Sequence, residues 1–260
     1  VLLASSVIIL TGLIDDILEL KPRQKMFGIF VASLVVYFLA GIKVRELSLP
    51  FLGHIQLGWW SFPLTIFWIL ALTNAVNLID GLDGLATGVT LISLVTMGIV
   101  GFFFLKSWQH YVPIMCIMLA ACLLGFLPYN FHPAKIFLGD TGALYIGFMI
   151  SVLSLKGLKN VTFVSLLVPI LILGVPITDT VYAMIRRKLN KKNISQADKH
   201  HLHHQLMRMG LSQSQTVLAI YGISLIFSFV SLLSLVSPRW GIWLLILGLL
   251  FAVELFVETI

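Results

Sequence analysis

The chain has 260 residues, of which 59% are hydrophobic and only 11% are charged, and its mean hydropathy is +1.02. This composition excludes an ordinary soluble globular domain and makes a lipid bilayer the expected solvent. The net charge of +6 does not indicate a nucleic-acid partner, because the basic residues are spread over many short loops. The two cysteines, Cys116 and Cys122, lie in one apolar run and carry no information on the redox compartment.

Apolar runs bounded by polar, glycine or proline residues predict the helices. In chain order they lie near 1–14, 26–42, 60–78, 85–105, 112–128, 142–155, 161–185, 215–236 and 240–259. The predicted fold is therefore an all-α integral membrane protein, a polytopic bundle of about nine transmembrane helices that forms a single membrane domain over residues 1–260.

The first apolar run, 1–14, is shorter than the roughly 20 residues that a spanning helix needs. The chain also starts at Val1 without a methionine, so we expect an N-terminal part to precede it. A cleaved signal peptide is the alternative. It is disfavoured because the run leads into a polar motif without a small-residue cleavage site.

The predicted loops fall into two alternating sets with different charge. Eleven of the 17 lysines and arginines lie in the set 15–25, 79–84, 129–141 and 186–214, which is therefore predicted to be cytoplasmic. The segment 43–58 belongs to the other set. It alternates apolar and polar residues around Pro50 and Gly53, which predicts a short β-hairpin in an outer loop.

Aspartates gather on the same predicted face as the basic residues. Six of the seven lie in the cytoplasmic set, namely Asp15, Asp16, Asp80, Asp83, Asp140 and Asp198. The seventh, Asp179, lies in a helix near its cytoplasmic end. A carboxylate within a membrane costs roughly 2.5–3.5 kcal/mol on insertion scales, so this face is expected to carry out chemistry or ion handling.

The pair Asp15-Asp16 ends the first predicted helix and precedes the basic residues Lys21, Arg23 and Lys25. One interpretation is a solvated loop with charges at a helix end. Adjacent carboxylates repel each other, however, and so favour a nearby cation or a raised pKa on one of them. This arrangement suits a base beside a metal.

The segment 74–83 contains four polar residues spaced three positions apart, which are Asn74, Asn77, Asp80 and Asp83. Asn74 and Asn77 share a face at a helix end, and the two aspartates continue into a turn broken by glycines. Capping of the next helix explains one aspartate but not all four side chains. We therefore expect the four to converge at one membrane edge.

Asp140 stands between Gly139 and Gly142 at a predicted helix start. It could serve simply as the N-cap of that helix. Alternatively, the glycines let backbone amides approach a phosphate, and a helix N-terminus attracts anions. Oxygen ligands from aspartate and asparagine suit Mg²⁺, which typically binds one or two carboxylates plus substrate phosphates.

Four histidines, His200, His201, His203 and His204, fall within five residues of the loop 186–214. A zinc site is one alternative, but the cluster has no cysteine, and adjacent ligands on one short segment rarely close a tetrahedron. Imidazoles that hold a phosphate or a sugar are favoured. The basic run 186–188 would add positive potential.

These motifs, in this order, resemble the polyprenyl-phosphate N-acetylhexosamine-1-phosphate transferases, the MraY/WecA/TagO superfamily. They are the Asp15-Asp16 pair, Asn-x-x-Asn-Leu-x-Asp-Gly-Leu-Asp-Gly-Leu from Asn74, Asn-Phe-His-Pro-Ala-Lys-x-Phe-x-Gly-Asp-Thr-Gly from Asn130, and the histidine-rich loop. The resemblance covers essentially the whole chain. Members have about ten or eleven helices, which implies one or two further helices before Val1.

The histidine loop separates branches of this superfamily. The branch that uses a muramyl-pentapeptide donor has three consecutive histidines followed by Phe-Glu. In this chain Leu202 interrupts the histidines, and Gln205-Leu206 follows them. This chain therefore resembles the UDP-GlcNAc:undecaprenyl-phosphate GlcNAc-1-phosphate transferases, which initiate teichoic-acid, common-antigen and O-antigen synthesis. The muramyl-pentapeptide transferase is the alternative.

The resemblance implies transfer of N-acetylglucosamine-1-phosphate, or a related N-acetylhexosamine-1-phosphate, from a UDP-sugar to undecaprenyl phosphate, with release of UMP. It implies Mg²⁺ as the cofactor, with Mn²⁺ as a substitute. It also implies a multi-pass protein of the bacterial plasma membrane with its active site on the cytoplasmic face, and it allows a homodimer.

Matching of the motifs implies the role of each site residue. Asp15, Asp16 and Asp140 are implied as catalytic, and Asp140 and Asn77 as metal ligands. The implied substrate-binding residues are Lys25, Asn74, Asp80, Asp83, Asn130, His201, His203 and His204.

Two other classes of protein also place carboxylates in membranes. CDP-alcohol phosphotransferases have an Asp-Gly-x-x-Ala-Arg motif followed by further aspartates, and the sequence from Asp83 to Ala86 and beyond lacks these features. A cation transporter predicts carboxylates near the middle of the bilayer in broken helices. The predicted helix-end positions favour the transferase.

Overall fold

The computed structural model describes residues 1–49, 53–104, 111–157 and 206–236, together with positions 174 and 177. Within these ranges it contains seven α-helices, which are α1 (Leu2–Leu18), α2 (Pro22–Phe38), α3 (Ser61–Ile79), α4 (Leu85–Phe104), α5 (Tyr111–Asn130), α6 (Gly139–Gly157) and α7 (Gln213–Val236). The predicted helical fold is confirmed there. The predicted helix 240–259 and nearly all of 161–185 lie outside the described residues, so the count of nine stays a prediction.

Four helices of the described part are long and apolar enough to cross a membrane, over Gly58–Ile79, Leu85–Phe103, Tyr111–Asn130 and Gln213–Leu233. They expose large hydrophobic side chains, as at Phe67, Met118 and Phe229. Such surfaces are unfavourable in water and stable against hydrocarbon. Together with the apolar composition, they make this a membrane-embedded chain.

Helix α6 packs against both α1 and α3, and α4 packs against α5 and α7. Side chains such as Ile8, Ile69 and Phe148 are completely buried between the helices around α6. Gly12 allows α1 to come very close to the start of α6, because a Cβ atom at this position would lie 2.4 Å from the Cα of Thr141. The end of α1 is therefore held directly against the first turn of α6.

The predicted hairpin in 43–58 is confirmed by two antiparallel strands, β1 (Glu46–Leu49) and β2 (Gly53–Gln56). It connects the end of α2 to the start of α3. The connections from α1 to α2 and from α3 to α4 consequently lie at the opposite end of the bundle.

Two helix boundaries differ from the sequence-based ones in a way that matters for the site. Helix α1 continues to Leu18 and ends at Glu19, whose φ of 48° leaves the helical region, so Asp15 and Asp16 lie in its last turn. Helix α2 already begins at Pro22, because the fixed φ of proline suits the first helical position. Lys25 therefore lies in the first turn of a helix and not in a loop.

Candidate active site

A cavity of about 370 Å³ lies where the start of α6, the α3–α4 connection and the α5–α6 connection meet the end of α1. We call it the acidic cavity. Its described lining consists of Asp16, Asn77, Asp80, Gly81, Leu82, Asp83, Asn130, Phe137, Leu138, Gly139, Asp140 and Gln213. Six of these were predicted as site residues, so segments that are far apart in sequence do come together at one end of the bundle.

Lys25 connects two of the predicted catalytic carboxylates. Its Nζ donates to Oδ1 of Asp140 at 2.8 Å and to Oδ1 of Asn77 at 3.4 Å, and it forms an ion pair with Oδ2 of Asp15. Asn77 Nδ2 also donates to Asp140 Oδ1, at 2.5 Å. The side chain of Asp15 is only 4% exposed, so Lys25 compensates a charge that would otherwise be buried alone.

The neighbouring Asp16 bonds to the first turn of α6. Its Oδ1 accepts from the backbone N–H of Asp140 at 2.7 Å, and its Oδ2 accepts from the backbone N–H and the hydroxyl of Thr141 at 3.1 and 2.5 Å. Gly139, with a φ of 67°, allows this approach, because a Cβ atom there would lie 3.1 Å from Asp16 Oδ2. Asp16 thus caps α6 from another helix, and the side chain of Asp140 contacts Lys25 and Asn77 instead.

Asp83 joins the two connections that form the other wall of the cavity. Its Oδ2 lies 2.9 Å from Nδ1 of His132 and accepts from the backbone N–H of Ala134 at 3.2 Å. The α3–α4 connection is therefore bonded to the α5–α6 connection through this one carboxylate. These bonds give Asp83 a role other than the capping of α4.

Asn130 is buried, and its amide bonds to the protein on both sides. Its Oδ1 accepts from the hydroxyl of Thr87 at 2.6 Å, and its Nδ2 donates to the carbonyl of Ile136 at 3.0 Å. The amide thus fixes the α5–α6 connection against α4. Its proposed contact with substrate stays a prediction.

Helix α7 holds the glycine-rich turn from outside. The hydroxyl of Tyr221 donates to the carbonyl of Gly84. Its ring lies against Gly88, where a Cβ atom would be only 1.9 Å from Cζ of the ring. Only glycine at position 88 leaves room for this contact, which fixes the turn that contains Asp80 and Asp83.

Asp80 ends α3 inside a cluster of like charges. Burial, with a further contribution from the carboxylates of Asp140, Asp16 and Asp83, raises the pKa of Asp80 to about 7. A cation in the acidic cavity would relieve this repulsion.

The remaining predicted residues divide into two groups. Asn74 is partly buried in α3 and is not among the described lining residues of the cavity. His201, His203 and His204 lie outside the described residues. Leu206, two residues after His204, packs with Leu82, Phe131 and Leu138 against the cluster of buried residues that includes Ile79 and Leu85.

Sequence reasoning missed three residues of this site, which are His132, Phe137 and Gln213. His132 and Phe137 lie inside the run from Asn130 to Gly142 that had been singled out, and their polar and aromatic character was the available signal. The ring of Phe137 is 75% exposed although it lines the cavity. Gln213 lies far along the chain and had no motif to mark it.

Comparison with known proteins agrees with this architecture. A bundle of apolar helices with an oxygen-rich cavity at one end is typical of a membrane-embedded protein with a polar site. The family model described as glycosyl transferase family 4 matches residues 1–158. The chain belongs to this family, and it is a membrane-embedded transferase.

Three curated relatives match between 85% and 98% of this chain. A protein of Bacillus subtilis (strain 168) named "probable undecaprenyl-phosphate N-acetylglucosaminyl 1-phosphate transferase" is 46% identical over 98% of this chain and 69% of its own length. A decaprenyl-phosphate N-acetylglucosaminephosphotransferase of Mycobacterium leprae is 35% identical over 85% of this chain and 60% of its own. A phospho-N-acetylmuramoyl-pentapeptide-transferase of Clostridium botulinum is 34% identical over 86% of this chain and 70% of its own.

Proposed function

We propose that this protein transfers N-acetylglucosamine-1-phosphate from a UDP-sugar to undecaprenyl phosphate. The observation that carries the proposal is the acidic cavity, where Asn77, Asp80, Asp83 and Asp140 from separate chain segments meet at one end of an apolar bundle. Family membership supports it, as does the name of the Bacillus subtilis relative. The chain spans only 60–70% of its relatives' length, so the reaction is proposed for the protein to which this chain belongs.

The proposed reaction exchanges one phosphorus–oxygen bond for another. An oxygen of the lipid phosphate attacks the β-phosphorus of the UDP-sugar, and the bond from that phosphorus to the bridging oxygen breaks. UMP leaves with the bridging oxygen, and the lipid becomes linked to the sugar through a pyrophosphate. Such a transfer needs positioning and charge neutralisation more than covalent chemistry by the protein.

Asp15 and Asp16 are proposed to serve the acceptor side, and Lys25 is proposed to hold a donor phosphate beside them. Lys25 supplies a positive charge next to Asp15 and Asp140, which attracts a phosphate toward two carboxylates that would otherwise repel it. Asp16 orients the start of α6, and with it Asp140, through its bonds to the backbone.

The residues of the acidic cavity fit Mg²⁺. Four described carboxylates and two asparagines line it, and hard oxygen donors are what this ion prefers. No group of three or more acidic, histidine or cysteine side chains in the described ranges is close enough to enclose a metal alone. Asp140 and Asn77 would therefore hold the ion together with substrate phosphates and water. When bound, Mg²⁺ supplies positive charge to the pyrophosphate.

The wall formed by Asp80, Asp83 and Phe137 is proposed to bind the nucleotide. The carboxylates can accept hydrogen bonds from ribose hydroxyls or a base N–H group. The exposed ring of Phe137 offers a flat face on which a nucleobase can stack.

His201, His203 and His204 are proposed to hold the donor phosphates or the sugar. The argument is chain geometry: Leu206 packs against the same buried cluster as Leu82 and Leu138, and these two leucines line the acidic cavity. Only one residue separates His204 from Leu206, and a residue spans at most about 3.6 Å of extended chain. We therefore include His204 among the residues proposed to contact the donor.

We further propose that the acidic cavity faces the cytoplasm of a bacterial cell, on the basis of the loop charges. In a cysteine-free background, Lys135→Cys lies at the cavity end of the bundle and Glu46→Cys at the hairpin end, and both positions are exposed. A membrane-impermeant thiol reagent should label Glu46→Cys in intact cells and Lys135→Cys only after the cells are opened. The reverse pattern would invert the orientation.

A panel of donors tests the activity itself. Purified protein is incubated with undecaprenyl phosphate and with UDP-GlcNAc, other UDP-N-acetylhexosamines or UDP-muramyl-pentapeptide, and UMP release is measured. UDP-GlcNAc should be the preferred donor. Comparable release from the muramyl-pentapeptide donor would favour the function named for the Clostridium botulinum relative. Absence of UMP release from every donor would contradict the proposed reaction.

A further inference from the structure

A second cavity, of about 270 Å³, lies at the hairpin end of the bundle. We call it the basic cavity. Its described lining consists of Tyr37, Lys43, Arg45, Glu46, Gln56, Gly58 and Ser61, which come from the end of α2, the hairpin and the start of α3. The proposed transfer reaction takes place at the other end of the molecule and uses none of these residues.

Lys43 and Arg45 provide the positive charge of the basic cavity, and the backbone at Val44 between them is held in place by hydrogen bonds. Val44 is buried, and its N–H donates to the hydroxyl of Thr65 in α3 at 3.1 Å. Lys43 and Arg45 flank this anchor, and the carbonyl of Arg45 accepts from the N–H of Leu57 at 3.0 Å. Because Glu46 is the only carboxylate in the described lining, the cavity carries net positive charge and favours an anion.

After the net positive charge, the buried hydroxyl of Ser61 is the second observation that indicates a ligand. It is the first residue of α3 and only 4% exposed, and its hydroxyl has no hydrogen-bond partner among the described residues. A buried hydroxyl without a partner is unfavourable, and such groups normally bond to protein, water or a ligand. The N-terminus of a helix adds partial positive charge at the same place. The cavity thus presents a donor that lacks its acceptor.

Two tryptophans next to Ser61 indicate which kind of anion the basic cavity would bind. Trp59 and Trp60 directly precede Ser61 and are 96% and 74% exposed. Tryptophan is enriched at membrane interfaces, where its ring lies at the depth of the lipid headgroups. An anion that reaches this cavity at that depth is most readily supplied by the membrane itself.

We propose that the basic cavity binds the headgroup phosphate of an anionic membrane phospholipid. Lys43 and Arg45 provide the charge, and the hydroxyl of Ser61 donates a hydrogen bond to a phosphate oxygen. Bound lipid would tie the hairpin to the ends of α2 and α3. This site is independent of the transfer reaction proposed above.

The purified protein, reconstituted in phosphatidylcholine, tests the proposal through its thermal stability. Addition of phosphatidylglycerol should raise the apparent melting temperature by about 3–5 °C, because a ligand that binds only the folded state stabilises it. The double variant Lys43→Gln/Arg45→Gln should lose the shift, and Ser61→Ala should bind the lipid about tenfold more weakly. Native mass spectrometry should show one phosphatidylglycerol retained by the wild type and none by the double variant.

The matched control is Lys156→Gln. The Nζ of Lys43 lies 5.0 Å from the ring centre of Tyr37. The Nζ of Lys156 likewise lies 4.6 Å from the ring centre of Tyr111, in the last turn of α6 and outside the described lining of the basic cavity. This variant should keep the full response. A response equally weakened in Lys156→Gln, or equal for phosphatidylcholine and phosphatidylglycerol, would overturn the proposal. Full stabilisation by inorganic phosphate would also overturn it, since the ligand would then be a soluble anion.

Discussion

The two walls of the acidic cavity compensate their charges differently. Beside the wall formed by α1 and α6, the ammonium of Lys25 in α2 lies between Asp15 and Asp140. On the wall formed by the two connections, Asp83 is bonded to His132 and to a backbone N–H, while the pKa of Asp80 is raised to about 7. The first wall therefore has a cation bonded to its carboxylates, whereas on the second wall burial and neighbouring carboxylates disfavour the charged form of Asp80.

This difference separates the tasks of the carboxylates. Removal of the charge of Asp15 or of Lys25 should affect stability and activity together, because Asp15 is buried with Lys25 as its partner. On the second wall, changes should act mainly on substrate binding. The following variants test this separation.

The largest effect is expected for Asp140→Asn, which keeps the shape of the side chain and removes its charge. Without that charge the proposed Mg²⁺ binds more weakly and neutralises less of the charge on the pyrophosphate. UMP release should therefore fall by about a thousandfold. The fold should persist, as judged by circular dichroism. Glu19→Gln, the same chemical change at an exposed position beyond α1, should retain full activity. More than about a tenth of the wild-type rate in Asp140→Asn would contradict the metal assignment.

Lys25→Met removes the cation of the first wall and leaves Asp15 buried and unpaired. The free energy of unfolding should fall by about 3–5 kcal/mol, measured by denaturation in detergent. In the double variant Asp15→Asn/Lys25→Met the unpaired charge is gone, so most of the stability should return while activity stays low. Equal destabilisation of the single and double variants would show that Lys25 acts through packing and not through charge.

His132→Ala tests the bond between the two connections of the second wall. Loss of the hydrogen bond to Asp83 should raise the KM for the UDP-sugar about tenfold, with a smaller change in kcat. The amide of asparagine can donate at nearly the same place as Nδ1, so His132→Asn should restore most of the affinity. A fall in kcat with KM unchanged, or no difference between the two variants, would be inconsistent with a positioning role for His132.

The smallest effect is expected for Tyr221→Phe. This change removes the hydroxyl that donates to Gly84 and preserves the ring against Gly88, so the free energy of unfolding should fall by about 1 kcal/mol. Tyr129→Phe, at a tyrosine that is 53% exposed, serves as the control and should change stability by less. Equal effects of the two variants would remove the assigned role of Tyr221 in holding the turn.

The sequence predicted the helices of the described part well, because a helix that faces lipid needs a long run of hydrophobic residues. It also indicated the hairpin, since alternation around Pro50 and Gly53 is a local signal. The spacing of three residues predicted that Asn74, Asn77, Asp80 and Asp83 converge. The last three line the acidic cavity, whereas Asn74 is not among its described lining residues. These features depend on neighbours along the chain and need no tertiary information.

The partners of the charged residues could not be predicted in the same way. Asp16 caps a helix that begins 123 residues later, at Gly139, and this contact depends on the close approach at Gly12. Asp15 and Asp16 are adjacent in sequence, yet helical geometry turns one toward Lys25 and the other toward Thr141. The spacing of residues along the sequence does not predict contacts between segments that are so far apart.

The most direct test of the proposed reaction follows the β-phosphorus. Purified protein is supplied with undecaprenyl phosphate and UDP-GlcNAc labelled with ³²P at the β-phosphate. We expect the label to move into the lipid-extractable fraction in a one-to-one ratio with unlabelled UMP, and we expect Asp140→Asn to abolish this transfer. Label that stays water-soluble while the nucleotide is consumed, or transfer that persists in Asp140→Asn, would contradict a sugar-phosphate transfer at the acidic cavity.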